Sequence, residues 1–168
     1  MSNTNYIKYL VELSQKGRKN SFLELCGFNL SNVYALCLRI TASKTIAEKL
    51  TVKIFLSAWE NIIHFREEIS YPDWLKAIAV YSILEEIRSG NFKKYINATK
   101  NDDKPTSDYK LDNLVFNLPE RERIIYVLNE IEGYSAQEIS DFLGDISKEG
   151  VMDLIHGVRK KFVEELNK

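Results

Sequence analysis

This chain is poor in the residues and patterns that carry chemistry. It has two cysteines, Cys26 and Cys37, which form no C-x-x-C pair, and two histidines, His64 and His156, which stand alone without metal-ligand spacing. Both cysteines lie among Phe22, Leu25, Val33, Leu36 and Ile40 and read as buried free thiols. There is no glycine-rich phosphate loop, no H-E-x-x-H and no nucleophile–base pair, so nothing points to an enzyme, a metal site or a cofactor. The pairs Glu67-Glu68, Glu85-Glu86 and Glu164-Glu165 are adjacent in sequence. Neighbours on a helix point apart, so these are solvated faces rather than paired carboxylates. No run approaches the roughly 20 apolar residues of a membrane span, and the N-terminus MSNTNYIKYLVELSQK has no signal-type apolar core. A cytoplasmic protein without membrane insertion is expected. Neither charge dominates: 23 Lys+Arg against 24 Asp+Glu leave a net of −1, which by itself favours neither a nucleic acid nor a membrane. Strands of alternating period, internal repeats and low-complexity tracts are all missing.

What remains is helical periodicity, and the expected fold class is all-α. Residues 5–16 form an amphipathic segment with Tyr6, Tyr9, Leu10 and Leu13 on one side, ending near Gly17. Ser21-Phe-Leu-Glu24 has the form of a capping box for a short helix through Cys26. Gly27 to Ser31 breaks the pattern, and Ser31 can cap a helix through Ile40. Thr45-Ile-Ala-Glu48 reads as a second capping box, opening a helix from Ile46 to about Ile63. Its core stripe is Ile46, Leu50, Ile54, Ala58 and Ile62. A second set, Val52, Phe55, Trp59 and Ile63, gives more apolar surface than one core face needs. Tyr71-Pro-Asp73 introduces a helix from Trp74 to about Arg88, with core positions Leu75, Ile78, Ala79, Ile83 and Ile87. From Ser89 to Asp108 the periodicity is lost, apart from a helical turn suggested by Phe92, Tyr95 and Ile96. The expected layout is an N-terminal extension over 1–19, a helical domain over 20–90, a flexible linker over 91–110 and a second small helical domain over 111–168.

The last third is the most explicit part. Ser135-Ala-Gln-Glu138 is a capping box, followed by a short helix with Ile139, Phe142 and Leu143 on one face. Gly144 suits a left-handed C-cap. After the turn Asp145-Ile-Ser147, Ser147 can cap a final helix with an apolar stripe of Val151, Leu154, Ile155, Val158, Phe162 and Leu166. This is the spacing of a helix-turn-helix, which presents its second helix to a DNA major groove. The charge is unusual for that task. From Asp112 to Lys168 there are 12 acidic against 7 basic residues, and Met152, Asp153, His156 and Gly157 fall on the outer face.

Three stretches resemble the bacterial RNA polymerase sigma factors. Ala47-Glu-Lys-Leu-Thr-Val-Lys-Ile-Phe-Leu-Ser-Ala-Trp59 is similar to their A-E-D-L-T-Q-E-V-F-L-x-A-W run. Trp74-Leu-Lys-Ala-Ile-Ala79 followed by Glu85-Glu-Ile-Arg88 is similar to W-L-x-x-I-A-R-N-x-x-x-D-x-x-R. The C-terminal third follows L-P-x-x-x-R-x-V-x-x-L…G-x-S-x-x-E-I-A-x-x-L-G-x-S. In this order they resemble the small two-domain, extracytoplasmic-function type. The resemblance implies a first domain that grips the polymerase clamp and opens the minus-ten element, and a second that reads the minus-thirty-five element. It also implies core RNA polymerase, promoter DNA and often an anti-sigma protein as partners, with no active site, cofactor or small-molecule substrate. Carried over residue by residue, the polymerase-binding positions are Glu48, Leu50, Val52, Phe55 and Trp59. Those for the opened strand are Trp74, Lys76 and Arg88, and those for the duplex are Lys148, His156, Arg159 and Lys160.

Several expected contact positions depart from that pattern. Lys49, Val52 and Lys53 replace an acid, an amide and an acid. Val80-Tyr81 replaces Arg-Asn, Ser89 replaces Arg, and Met152 and Leu154 replace the basic residues of the last helix. Trp59 and Trp74 could equally serve as core anchors. Two readings follow: a working alternative sigma factor, or a sigma-derived interaction module that has lost promoter recognition and binds a protein partner or itself.

Overall fold

The structure is a computed structural model and describes residues 3–90 and 104–167. Among these there are helices and turns and no strand. The order is α1 (Asn3–Gln15), α2 (Lys19–Thr41), α3 (Lys44–Asn61) with a 3-10 turn at Ile62–His64, and α4 (Tyr71–Arg88). Then come α5 (Lys110–Asn117), α6 (Glu120–Tyr126) running into a π turn at Val127–Ile131, α7 (Ala136–Leu143) and α8 (Lys148–Leu166). The chain divides into two compact units, Met1–Cys37 with Ala47–Lys94, and Leu38–Ile46 with Tyr95–Lys168.

In the first unit, the expected break at Gly27 does not occur. α2 is one helix of 23 residues, and Ser21 lies inside it rather than capping it. The reason is tertiary: Phe22, Leu25, Val33 and Leu36 are all buried along one side, and that burial outweighs the roughly 1 kcal/mol cost of a helical glycine. Unbroken, α2 is also the one described helix long and apolar enough to cross a bilayer, although its buried face belongs to this core. The core of α3 is the stripe expected, with Ile46, Leu50, Ile54, Ala58 and Ile62 all buried. α4 starts three residues earlier than expected, because Ser70 is its N-cap and accepts from the Asp73 backbone N–H at 3.2 Å. It is buried on more than its expected stripe: Val80, Ser82, Leu84 and Glu86 are inside, whereas Ile78 and Ile87 are half-buried. α1 braces the α3–α4 connection. The Gln15 side-chain amide donates to the carbonyls of Ile62 (3.1 Å) and Phe65 (3.0 Å), and Lys8 pairs with Glu67 at 2.6 Å.

The second unit includes the α2–α3 corner. There Ser43, not Thr45, caps α3, its hydroxyl accepting from the Ile46 N–H at 3.2 Å. The Arg123 side chain is buried and closes the end of α2. Its Nε donates to the Ile40 carbonyl (2.9 Å), its Nη2 to that of Thr41 (3.4 Å), and its Nη1 to that of Leu118 (2.8 Å). These are carbonyls that a helix C-terminus leaves unpaired, at the negative end of its dipole. Burial pulls the Arg123 pKa below the usual arginine value.

α5 was not expected as a separate helix. The residues before it, the tail of the expected linker, are pinned to it: the Ser107 N–H donates to Asn113 Oδ1 at 3.0 Å, and Lys104 Nζ reaches Asn117 Oδ1 at 2.6 Å. The turn suggested by Phe92, Tyr95 and Ile96 lies outside the described residues. The helix-turn-helix forms as its spacing predicts. Ser135 accepts from the Glu138 N–H (3.2 Å) while the Glu138 carboxylate accepts from the Ser135 N–H (2.8 Å). Gly144 is left-handed, with φ of 73°, and Ser147 caps α8 through the Gly150 N–H at 3.2 Å. The Ser140 hydroxyl donates to the Ile146 carbonyl at 2.8 Å, tying α7 to the turn. Ile139, Val151, Ile155, Val158 and Phe162 fill the core, Leu154 is half-buried, and Leu166 is 49% exposed rather than part of the buried stripe.

Candidate functional site

The first unit carries an apolar groove of about 540 Å³ between α2 and α3. Phe22, Leu23, Cys26 and Leu30 form one wall, and Val52, Phe55, Leu56 and Trp59 the other. Trp59 is half-buried and packs on Phe22, with ring centroids 5.1 Å apart. At about 100° per residue, Glu48, Val52, Phe55 and Trp59 share one stripe of α3, so four of the five clamp-facing candidates come together. Leu50 does not. It is 4% exposed on the opposite stripe and supports the face from beneath. The α2 wall was missed because the helix was read as broken; the four-residue spacing of Phe22, Cys26 and Leu30 was its signal. Burial pushes the Cys26 thiol up to about 11 and the Cys37 thiol up to about 12, so both stay protonated and weakly reactive.

Lys53, one of the departures, has an intramolecular explanation. Its ammonium pairs with the Glu86 carboxylate at 2.5 Å and approaches Glu85 at 3.6 Å. The hydrogen bond to Glu86 is the chief reason its pKa lies above the usual lysine value. Glu86 is buried, and its second oxygen has no hydrogen-bond partner. Removing the cation would leave that carboxylate inside without a countercharge. We expect Lys53→Met to cost about 1–3 kcal/mol in urea unfolding, less than the roughly 3–5 kcal/mol of a fully buried pair because Lys53 itself is half exposed. Glu86→Gln in the same background is expected to recover most of the loss.

On α4, Trp74 is half-buried in an aromatic cluster with Phe65 (5.2 Å) and Tyr71 (5.7 Å). Arg88 is exposed at the end of the helix, and Lys76 is half-buried. Steps of seven residues return to nearly the same face, so Trp74 and Arg88 share a stripe, whereas Lys76 lies about 160° away from Trp74. Between them on that stripe stands Tyr81, 66% exposed. Sequence reading noted Tyr81 only as a departure, yet it is the open aromatic surface of this face.

In the second unit, Lys148, His156, Arg159 and Lys160 are all exposed on α8. Lys148 and Lys160 have no hydrogen-bond or ion-pair partner among the described residues. Arg159 Nη2 is paired with Glu130 at 2.6 Å, Lys161 with Glu122 at 2.7 Å, and Arg121 with Asp145 at 3.0 Å. The outermost stripe of α8 reads Glu149, Asp153, His156, Lys160 and Glu164, more acidic than basic. Gly157 stands beside it, and a methyl group there would meet nothing within 4 Å. Gly157→Ala is therefore expected to stabilise the second unit by about 0.5–1 kcal/mol, read as a rise in melting temperature. Among the described residues no cluster of three His, Cys, Asp or Glu could hold a metal ion.

An all-α chain of two compact units, one with a helical groove and one with a capped helix-turn-helix, is the class that fold and surfaces define. The chain is 23% identical over 181 residues to the extracytoplasmic-function RNA polymerase sigma factor SigW of Bacillus subtilis, covering 95% of this chain and 96% of that protein. Among solved structures, it superposes on CnrH, in complex with the cytosolic domain of CnrY, with a TM-score of 0.54 and 18% identity, over 96% of this chain and 97% of that one. It also superposes on the sigma factor RpoE, in complex with the anti-sigma factor NepR from Bartonella quintana, with a TM-score of 0.59 and 15% identity, over 87% and 96%. No family model matches the chain. The resemblance carried by the three motifs thus extends over the whole chain and into the fold.

Proposed function

We propose that the chain is an alternative sigma factor of the extracytoplasmic-function type, which binds core RNA polymerase and directs it to promoters. The observation that carries this reading is that the three motifs fall within two compact units, on a chain similar to SigW over 95% of its length. The α2–α3 groove offers Val52, Phe55 and Trp59 to an apolar helical partner, with Glu48 at its edge. The α4 stripe of Trp74, Tyr81 and Arg88 offers aromatic faces and a cation to an opened strand. The helix-turn-helix offers Lys148, His156 and Lys160 to duplex phosphates and base edges, whereas Arg159, expected beside them, is engaged by Glu130. The first unit corresponds to the clamp and minus-ten domain and the second to the minus-thirty-five domain. The RpoE structure holds the anti-sigma factor NepR, and a protein of that kind would cover the α2–α3 groove of this chain. The chain works in the cytoplasm without catalysis of its own, since the polymerase makes the bonds.

The test is reconstitution. Purified protein mixed with core polymerase is expected to co-elute and to support initiation from a limited set of promoters in a genomic template pool. Failure to form a complex at low salt would overturn the reading. One observation favours the other reading, an interaction module without promoter recognition: the outer stripe of α8 is acidic and its flanking cations are internally paired. That reading predicts self-association by light scattering, lost on Val52→Glu.

A further inference from the structure

We propose that Glu130 and Glu122 act as attenuators of duplex DNA affinity, holding the two flanking cations of α8 away from phosphate. This rests on the sigma-factor reading of the second unit and goes beyond it, because it assigns a role to two carboxylates outside the recognition helix.

The argument begins with the positions of the charges. Taking the α8 core stripe (Val151, Ile155, Val158, Phe162) as inward, Arg159 and Lys161 lie on its two flanks, about 160° apart. Cations on the two shoulders of a helix seated in a groove are placed for the two phosphate backbones. Each is instead neutralised from within. Arg159 Nη2 meets Glu130 Oε1 at 2.6 Å, and Lys161 Nζ meets both oxygens of Glu122 at 2.7 and 2.9 Å. Glu122 comes from α6 and Glu130 from the π turn that follows, so the two carboxylates bracket α8 from separate backbone elements. Both are more buried than their partners: the carboxylate side chains are 25% and 19% exposed, against 53% and 56% for the cations. The carboxylates thus sit against the body of the unit, while the cations reach them from the solvent side.

A phosphate approaching either flank must displace a carboxylate already in place and remain near its charge. Each pair therefore removes about one counterion-releasing contact from the interface. Together with the acidic outer stripe, this leaves Lys148 and Lys160 as the basic side chains of α8 without an ion-pair partner among the described residues. The second unit is built to touch duplex DNA weakly, so sustained contact with a promoter depends on the first unit and the polymerase.

The measurement is fluorescence anisotropy of the full chain on a labelled mixed-sequence duplex of about 25 base pairs, from 50 to 200 mM salt. Glu130→Gln is expected to raise affinity about three- to tenfold at 100 mM salt and to steepen the log–log salt slope by about 0.9. Glu122→Gln should do the same through Lys161, and the double variant should add the two. Glu130→Asp, which keeps the charge, should stay near the parent. Arg159→Ala should matter little in the parent and cancel the gain in the Glu130→Gln background. Equal affinity and slope for parent and Glu130→Gln would overturn the proposal, as would an Arg159→Ala effect of the same size in both backgrounds. No binding by parent or variants at 50 mM salt would also overturn it. Because this readout uses neither polymerase nor promoter, its failure is separate from failure of the reconstitution above.

Discussion

Arg123→Ala is expected to lower the stability of the second unit by about 3–5 kcal/mol. The arginine is 6% exposed and donates to the carbonyls of Ile40, Thr41 and Leu118, three residues that are themselves buried. Truncation leaves these buried acceptors unpaired, at about 1–3 kcal/mol each for the fully desolvated ones, and opens a void where the stem lay. A domain of this size has only about 5–15 kcal/mol in total. In urea, with a slope of about 1–3 kcal/mol/M, the midpoint should fall by at least about 1 M. Arg123→Lys should not rescue, because a single ammonium cannot span three carbonyls that a planar fork reaches together. A midpoint shift below about 0.3 M for Arg123→Ala would show that the carbonyls find other donors. The arginine of the L-P-x-x-x-R motif is therefore a structural residue, closing the α2 C-terminus, and not a DNA contact.

The second large effect concerns the groove. Val52 and Leu56 are 60% and 59% exposed on the α3 wall, so replacing both with glutamate should change folding stability by no more than about 0.5 kcal/mol. Buried against an apolar partner, two added carboxylates would each have to be desolvated without a countercharge. A loss of about 3 kcal/mol, or about a hundredfold in affinity for core polymerase, is expected. The double variant should retain the parent's circular dichroism and anisotropy on duplex DNA while losing co-elution. Retained co-elution with a folded variant would place the polymerase contact elsewhere on the first unit. Trp59 is a poorer choice for this test because it packs against Phe22, and its loss would confuse packing with binding.

Local signals were the legible part of the site as well as of the fold. The Ser135–Glu138 capping box and the Ser147 cap are fixed by side chains within three residues of the backbone they satisfy, and the left-handed Gly144 follows from glycine's missing Cβ. The surplus apolar stripe of α3 was visible for a similar reason: helical period converts spacing into a face without reference to any neighbour. What the departures meant was not visible. Lys53 read as a rewired contact, yet its partner is Glu86, 33 residues away. Arg159 read as a free cation for DNA, yet Glu130 holds it from 29 residues away.

By itself, then, the sequence determined the all-α class, the helix-turn-helix and its caps, the α3 stripes and the likeness to sigma factors. Each of these depends on residues close together in the chain or on motif order. Only the tertiary structure decided that α2 runs unbroken through Gly27, that Arg123 is buried, and that Arg159 and Lys161 of α8 are already paired. These outcomes compare a local cost with burial or charge supplied by a distant segment. That comparison can be made only once the distant segment is in place.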